Sequence, residues 1–183
     1  MHPGAGCTGK TPALKKRGLT ATFFIITGKV GVDEKTRQAN TWQSTLPRAY
    51  HMIWPELAEL HQQGFSIEAH TVGHPVLSDT SQSDLAYELF QPRSAIQKNI
   101  PGAQAFFLAY PFGVGSHDER VLAMVRQAGY LAAVGYSIDD GIANPADPDL
   151  YAIRRSSVAG NTTLVLNFQR PDTFFMRRVN PGF

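Results

Sequence analysis

The feature that most constrains this chain is a repeated alternation of short apolar runs with helix-like stretches. Residues 20–26 read TATFFII, β-branched and aromatic, as a buried strand requires. Residues 65–69, 105–110 (AFFLAY) and 131–136 have the same character, and 162–168 is a further strand candidate. Helical patterns with their own punctuation lie between them. Pro55 stands in the first turn, and Gly64 just past the end, of a helix beginning at residue 55. Residues 12–17 end on Gly18 as a C-cap. Residues 81–99 put Leu85 and Leu89 on one face, with Pro92 as an expected kink and Asp79 as a helix-start residue. Ser116 and Glu119 form a capping-box pattern before a helix carrying Val121, Leu122 and Val125, which Gly129 ends. Such a repeat predicts an α/β fold, a parallel sheet with crossover helices, whose ligands gather at the carboxyl ends of the strands.

The bulk numbers narrow the function classes. A length of 183 residues predicts one domain, 1–183, with a substantial core. The 43% hydrophobic and 17% charged content is that of a globular chain. A formal charge of +2, with Lys15-Lys16-Arg17 as the longest basic cluster, argues against nucleic acid and membrane surfaces as partners. No apolar run approaches the ~18 residues of a membrane span. Cys7 stands alone, which excludes an intrachain disulfide or a cysteine-based metal centre. The opening MHPGAGCTGKTP lacks the basic start and apolar core of a signal peptide. The tail after Phe168, QRPDTFFMRRVNPGF, has no clear period and is expected to pack poorly.

Two of the six histidines, His70 and His74, stand four apart in AHTVGHP, at the end of the second predicted strand. Gly73 and Pro75 argue against a helix, but a loop leaving a strand can turn both imidazoles toward one point. Neutral imidazole suits zinc, and a catalytic zinc keeps three protein ligands and one open position. The spacing alone also fits two loop histidines bonded to water and backbone. His2, His51, His61 and His117 have no partner at ligand spacing. YPFG (110–113) likewise follows a predicted strand, on the same side of the sheet.

Four successive pieces resemble the polysaccharide deacetylase family, carbohydrate esterase family 4. They are LKKRGLTATFFIITG (14–28), MIWPELAELHQQGFSIEAHTVGHPVL (52–77), FLAYPFG (107–113) and AMVRQAGYLAAVGYSIDDG (123–141), and the match is strongest over 12–158. The second piece fills the family's H-[ST]-x-x-H metal motif with His70, Thr71 and His74. The resemblance implies a distorted, incomplete (β/α) barrel, TIM-barrel-like, with a mostly parallel sheet. It implies metal-dependent hydrolysis of acetyl groups on a carbohydrate polymer, with Zn2+ or another divalent ion as cofactor and an acetylated polysaccharide as partner. It also implies an extracytoplasmic or cell-envelope location. His70 and His74 would be two of three metal ligands. The Phe112 backbone N–H would stabilise the oxyanion. Tyr110, Pro111 and Phe112 would form the substrate pocket, although aromatics beside Pro-Gly also serve as turn packing.

The family's first motif supplies an aspartate base and an aspartate ligand, and it should precede residue 11. MHPGAGCTGK holds no carboxylate there, so neither aspartate is assigned and the first barrel strand is expected to be missing. Asp139 and Asp140, in SIDDG, have the right composition in the wrong order. The late leucine-x-histidine motif, source of a general acid, is not visible either: TLVLNFQ has Asn167 in that place. The general base and acid are therefore unassigned. Since each contributes ~10²–10⁴-fold, two expectations stand: an N-acetylglucosamine-type polysaccharide deacetylase, or a truncated or degenerate, inactive domain with at most carbohydrate binding.

Overall fold

The computed structural model describes residues 14–39, 50–136, 144–155, 163–170 and 173–179, the last two stretches as backbone. Five short strands form one parallel sheet in simple order: β1 (Thr22–Ile25), β2 (Ser66–Ala69), β3 (Phe107–Ala109), β4 (Ala132–Gly135) and β5 (Ile153–Arg154). Among the described residues the sheet does not close, and β1 and β5 form its edges. Crossovers are made by α1 (Trp54–Gln62), α2 (Gln82–Asn99) and α3 (Glu119–Gln127). This is the expected incomplete barrel. The gap expected ahead of β1 falls on residues 1–13, outside the described residues.

The core lies between the sheet and its helices. Leu57 and Leu60 of α1, Leu85, Leu89 and Ile96 of α2, and Val121 and Val125 of α3 meet Ile67 and Leu108 of the strands. Each such side chain contributes ~1.5–3 kcal/mol on burial. Among the described residues, no helix is long and apolar enough to cross a membrane.

Local signals place most of the ends. Pro55 sits in the first turn of α1, and Glu56 reaches back to accept the Ile53 N–H at 3.1 Å. Gly18, Gly64 and Gly129 close their helical segments with φ of 65°, 89° and 79°, the left-handed conformation that glycine adopts without cost. Two expectations need correction. The N-cap of α3 is Asp118, whose carboxylate accepts from the Arg120 and Val121 N–H groups, while the Ser116 hydroxyl donates to Gly113 O. The N-cap of α2 is Ser81, and Asp79 lies in the preceding 3-10 turn, Leu77–Asp79. Pro92, as expected, lies within the helical stretch, inside the 18-residue α2. The strand expected at 162–168 is β6 (Thr163–Arg170), and the tail after it continues as β7 (Thr173–Val179), antiparallel to β6. Residues 173–179 of that aperiodic text thus pair as a strand with β6.

Register positions the functional side chains. Ala69 pairs with Leu108, and Ala109 pairs with Val134, so the residue after β2 comes level with the last residue of β3. The β2–β3 seam is short, with one register pair. Buried Glu68 extends it, accepting the Phe107 N–H at 2.8 Å and the Ser66 hydroxyl at 2.7 Å.

Candidate metal-binding and active site

The β2 ladder runs one residue beyond the strand, with the His70 N–H donating to Ile25 O at 2.9 Å. The chain then turns sharply. Thr71 and His74 both have positive φ, 65° and 66°, a conformation costing on the order of 1–3 kcal/mol for each non-glycine residue. The turn is held from three sides. Thr71 O and Val72 O accept the N–H groups of Thr27 and Gly28 at 3.1 and 3.0 Å. The buried Thr71 hydroxyl accepts the His74 N–H at 2.9 Å. The Glu88 carboxylate of α2 accepts the Val72 and Gly73 N–H groups, both at 2.8 Å. Gly28 is required at its contact, because a Cβ there would come within 2.6 Å of Val72 O.

The fold thereby converges the two imidazoles. His70 Nδ1 lies 2.6 Å from Ala109 O. A carbonyl can only accept, so Nδ1 carries the proton and the Nε2 lone pair faces the site. His70 Nε2 is 3.0 Å from His74 Nε2, with ring centroids 4.6 Å apart. Burial pushes the His70 pKa down to about 4; the positive charges of His74 and Arg155 lower it further, and the Ala109 carbonyl opposes them. Burial also lowers His74. Both rings are therefore neutral at pH 7, the form that ligates a metal.

These donors fit part of a metal centre. Two nitrogens at ~2.0–2.1 Å from a tetrahedral ion are roughly 3.3 Å apart, close to the spacing here, and a backbone carbonyl already fixes one ring. Among the described residues, no cluster of three His, Cys, Asp or Glu side chains accompanies the pair. Asp139 and Asp140 lie outside the described residues.

The turn after β3 forms the adjoining wall. Phe112 has φ 57° and ψ 2°, and Gly113 follows at φ 77°. The Phe112 ring, 60% exposed, stands edge-on to His74 with centroids 4.6 Å apart. Among the described residues, no acceptor engages the Phe112 N–H, while the flanking Gly113 N–H donates to Tyr110 O. Pro111 is buried. Tyr110 is fully buried, and its hydroxyl donates to Tyr151 O at 2.8 Å, so it supports the turn from beneath. Burial raises its pKa well above the ordinary phenol value.

Glu88, Gly28 and the Ala109 carbonyl were not identified from sequence. Glu88 reads as one more solvated helix charge, and a backbone carbonyl carries no residue signal at all. A glycine just after a strand was the one available hint, at Gly28.

The family model for polysaccharide deacetylase matches residues 4–133. The chain is 32% identical over 117 residues to chitooligosaccharide deacetylase of Sinorhizobium fredii, covering 60% of this chain and 53% of that protein. It is 28% identical over 152 residues to poly-beta-1,6-N-acetyl-D-glucosamine N-deacetylase of Staphylococcus aureus, covering 78% and 47%. The chain thus spans about half the length of the curated relatives it matches. The solved structure of the deacetylase PplD of Streptococcus pyogenes, in complex with acetate, superposes with a TM-score of 0.62 at 22% identity, covering 82% of this chain and 57% of that one.

Proposed function

The chain belongs to the polysaccharide deacetylase family, and from that premise we propose that it is a metal-dependent hydrolase removing acetyl groups from an N-acetylglucosamine-type polysaccharide. The bond cleaved is a non-peptide C–N amide. The observation that carries this reading is the convergence of His70 Nε2 and His74 Nε2, 3.0 Å apart, beside the Phe112 turn.

In this reading His70 and His74 hold a divalent ion, zinc first among candidates. Such an ion, when bound, polarises the acetyl carbonyl and brings the pKa of its water toward neutrality. The protein's own contribution begins with the two neutral imidazoles, oriented before any ligand arrives. The Phe112 N–H donates to the oxygen of the acetyl carbonyl as it gains negative charge; one such donor is worth ~10²–10³ in rate. Phe112 and Pro111 shape the pocket, and Tyr110 holds their turn through its bond to Tyr151 O. The same reading puts the protein outside the cytoplasm, where wall and matrix polymers are met.

A zinc titration by calorimetry at neutral pH, with His74→Ala as control, tests the proposal. One tight site lost in the variant, with acetate released from an acetylated glucosamine oligomer, supports it and makes Asp139 and Asp140 the first residues to substitute for the remaining ligand. A weak site unchanged by the substitution overturns it in favour of a deacetylase-like domain that at most binds carbohydrate.

A further inference from the structure

Two residues of the 70–74 turn adopt positive φ, and one of them, Thr71, is β-branched. A backbone of this kind persists only when its surroundings over-determine it. The peptide groups between those two residues are gripped at both ends. Their carbonyls, Thr71 O and Val72 O, take the N–H groups of Thr27 and Gly28 from the β1 side. Their following N–H groups, on Val72 and Gly73, both reach a single oxygen, Glu88 Oε2, at 2.8 Å each. A carboxylate accepting backbone N–H groups makes a charge-assisted bond, about twice as strong as a neutral one.

The seat of that carboxylate is rigid. Its neighbours on α2, Leu85 and Leu89, are fully buried in the core. The approach is also close: a Cβ on Gly73 would stand 3.1 Å from Glu88 Oε1. The helix therefore carries a fixed acceptor against the one stretch of backbone that joins the two histidines.

We propose that Glu88 is the positioning residue of the histidine turn, setting the His70–His74 separation through its two bonds to the Val72 and Gly73 amides. The inference rests on reading His70 and His74 as metal ligands. Glu88 acts on the turn through its two backbone amide bonds. Both bonds end on one oxygen, so a side-chain amide carbonyl in the same place can accept them as well, whereas a methyl group cannot.

The test compares Glu88→Ala and Glu88→Gln with the native chain by zinc titration and by amide hydrogen exchange, well below each protein's unfolding temperature. In Glu88→Ala the Val72 and Gly73 amides lose protection, and zinc affinity falls roughly 10–100-fold, the usual effect of removing an outer-shell partner. Glu88→Gln retains the protection and holds affinity to within about threefold. Equal losses in the two variants overturn the inference, as does a Glu88→Ala protein that is merely less stable and binds zinc like the native chain. If the native chain takes up no zinc, the metal reading fails by itself. Glu88 is then judged on exchange and on the imidazole nitrogen shifts of His70 and His74: loss in Ala with rescue in Gln upholds positioning, and unchanged spectra overturn it.

Discussion

Gly113→Ala is the perturbation that tests most sharply how the Phe112 turn is built. Two separable costs meet at this position. Its φ of 77° lies in the left-handed region, where a side chain costs about 1–2 kcal/mol. In addition, a methyl group there would overlap the Tyr136 carbonyl oxygen and stand 2.6 Å from its amide nitrogen. Those are backbone atoms at the end of β4, so they yield only if the strand end moves, and such overpacking costs about 1–3 kcal/mol. The sum is about 2–5 kcal/mol, a sizeable part of the ~5–15 kcal/mol that holds a domain folded. Gly64→Ala is the internal control: its φ is 89°, but a Cβ there meets nothing within 4 Å, so it carries the conformational cost alone. Urea unfolding of both variants, read by circular dichroism, gives the difference directly. Gly113→Ala should be the less stable of the two by about 1–3 kcal/mol, and its Phe112 amide resonance should shift. Equal stabilities would refute the claim that the turn is wedged against Tyr136.

Two further outcomes follow from buried polar groups. His70 has a folded pKa of about 4 against 6.5 for the free side chain, so the unfolded chain takes up the proton first as pH falls. The metal-free protein is therefore fully stable with respect to this group above about pH 6.5 and loses up to about 3 kcal/mol by pH 4. Urea midpoints in a chelator across that range should show the slope, and His70→Gln should flatten it; an equal slope in the variant would rule out His70 as its source. Glu68→Ala leaves the Phe107 N–H without its acceptor at the narrow β2–β3 seam. Thermal unfolding should show a loss of about 1.5–3 kcal/mol, with Glu68→Gln falling less.

The elements whose burial is local in origin were legible in the sequence. TATFFII and AFFLAY mark strands because β-branched and aromatic side chains suit a half-buried pleat, and β1 and β3 lie inside those runs. Pro55 and Gly64 bracket α1 because each acts on its own backbone. Legibility ends where two competent groups compete. Ser116 and Asp118 can each cap a helix, and the choice falls to Asp118 because Gly115, at φ 102°, turns the chain and leaves the Ser116 hydroxyl against Gly113 O. Tyr110 shows the same limit. Its aromatic character suggests a pocket wall, but the β3 alternation puts it on the same side as Leu108, which is buried too.

The site itself divides along that line. His70 and His74 were visible because their spacing is local. What makes them a pair is not. His70 is oriented by a carbonyl 39 residues away, which the β2–β3 register alone brings level with it. The turn between them is fixed by a carboxylate one helix later and by a glycine one strand earlier. A four-residue spacing thus states which donors exist, and the distance between their nitrogens is a property of the sheet and of α2 together. Any change that shifts β3 against β2, Glu68→Ala included, should therefore alter the His70–Ala109 contact before it alters either histidine's own backbone.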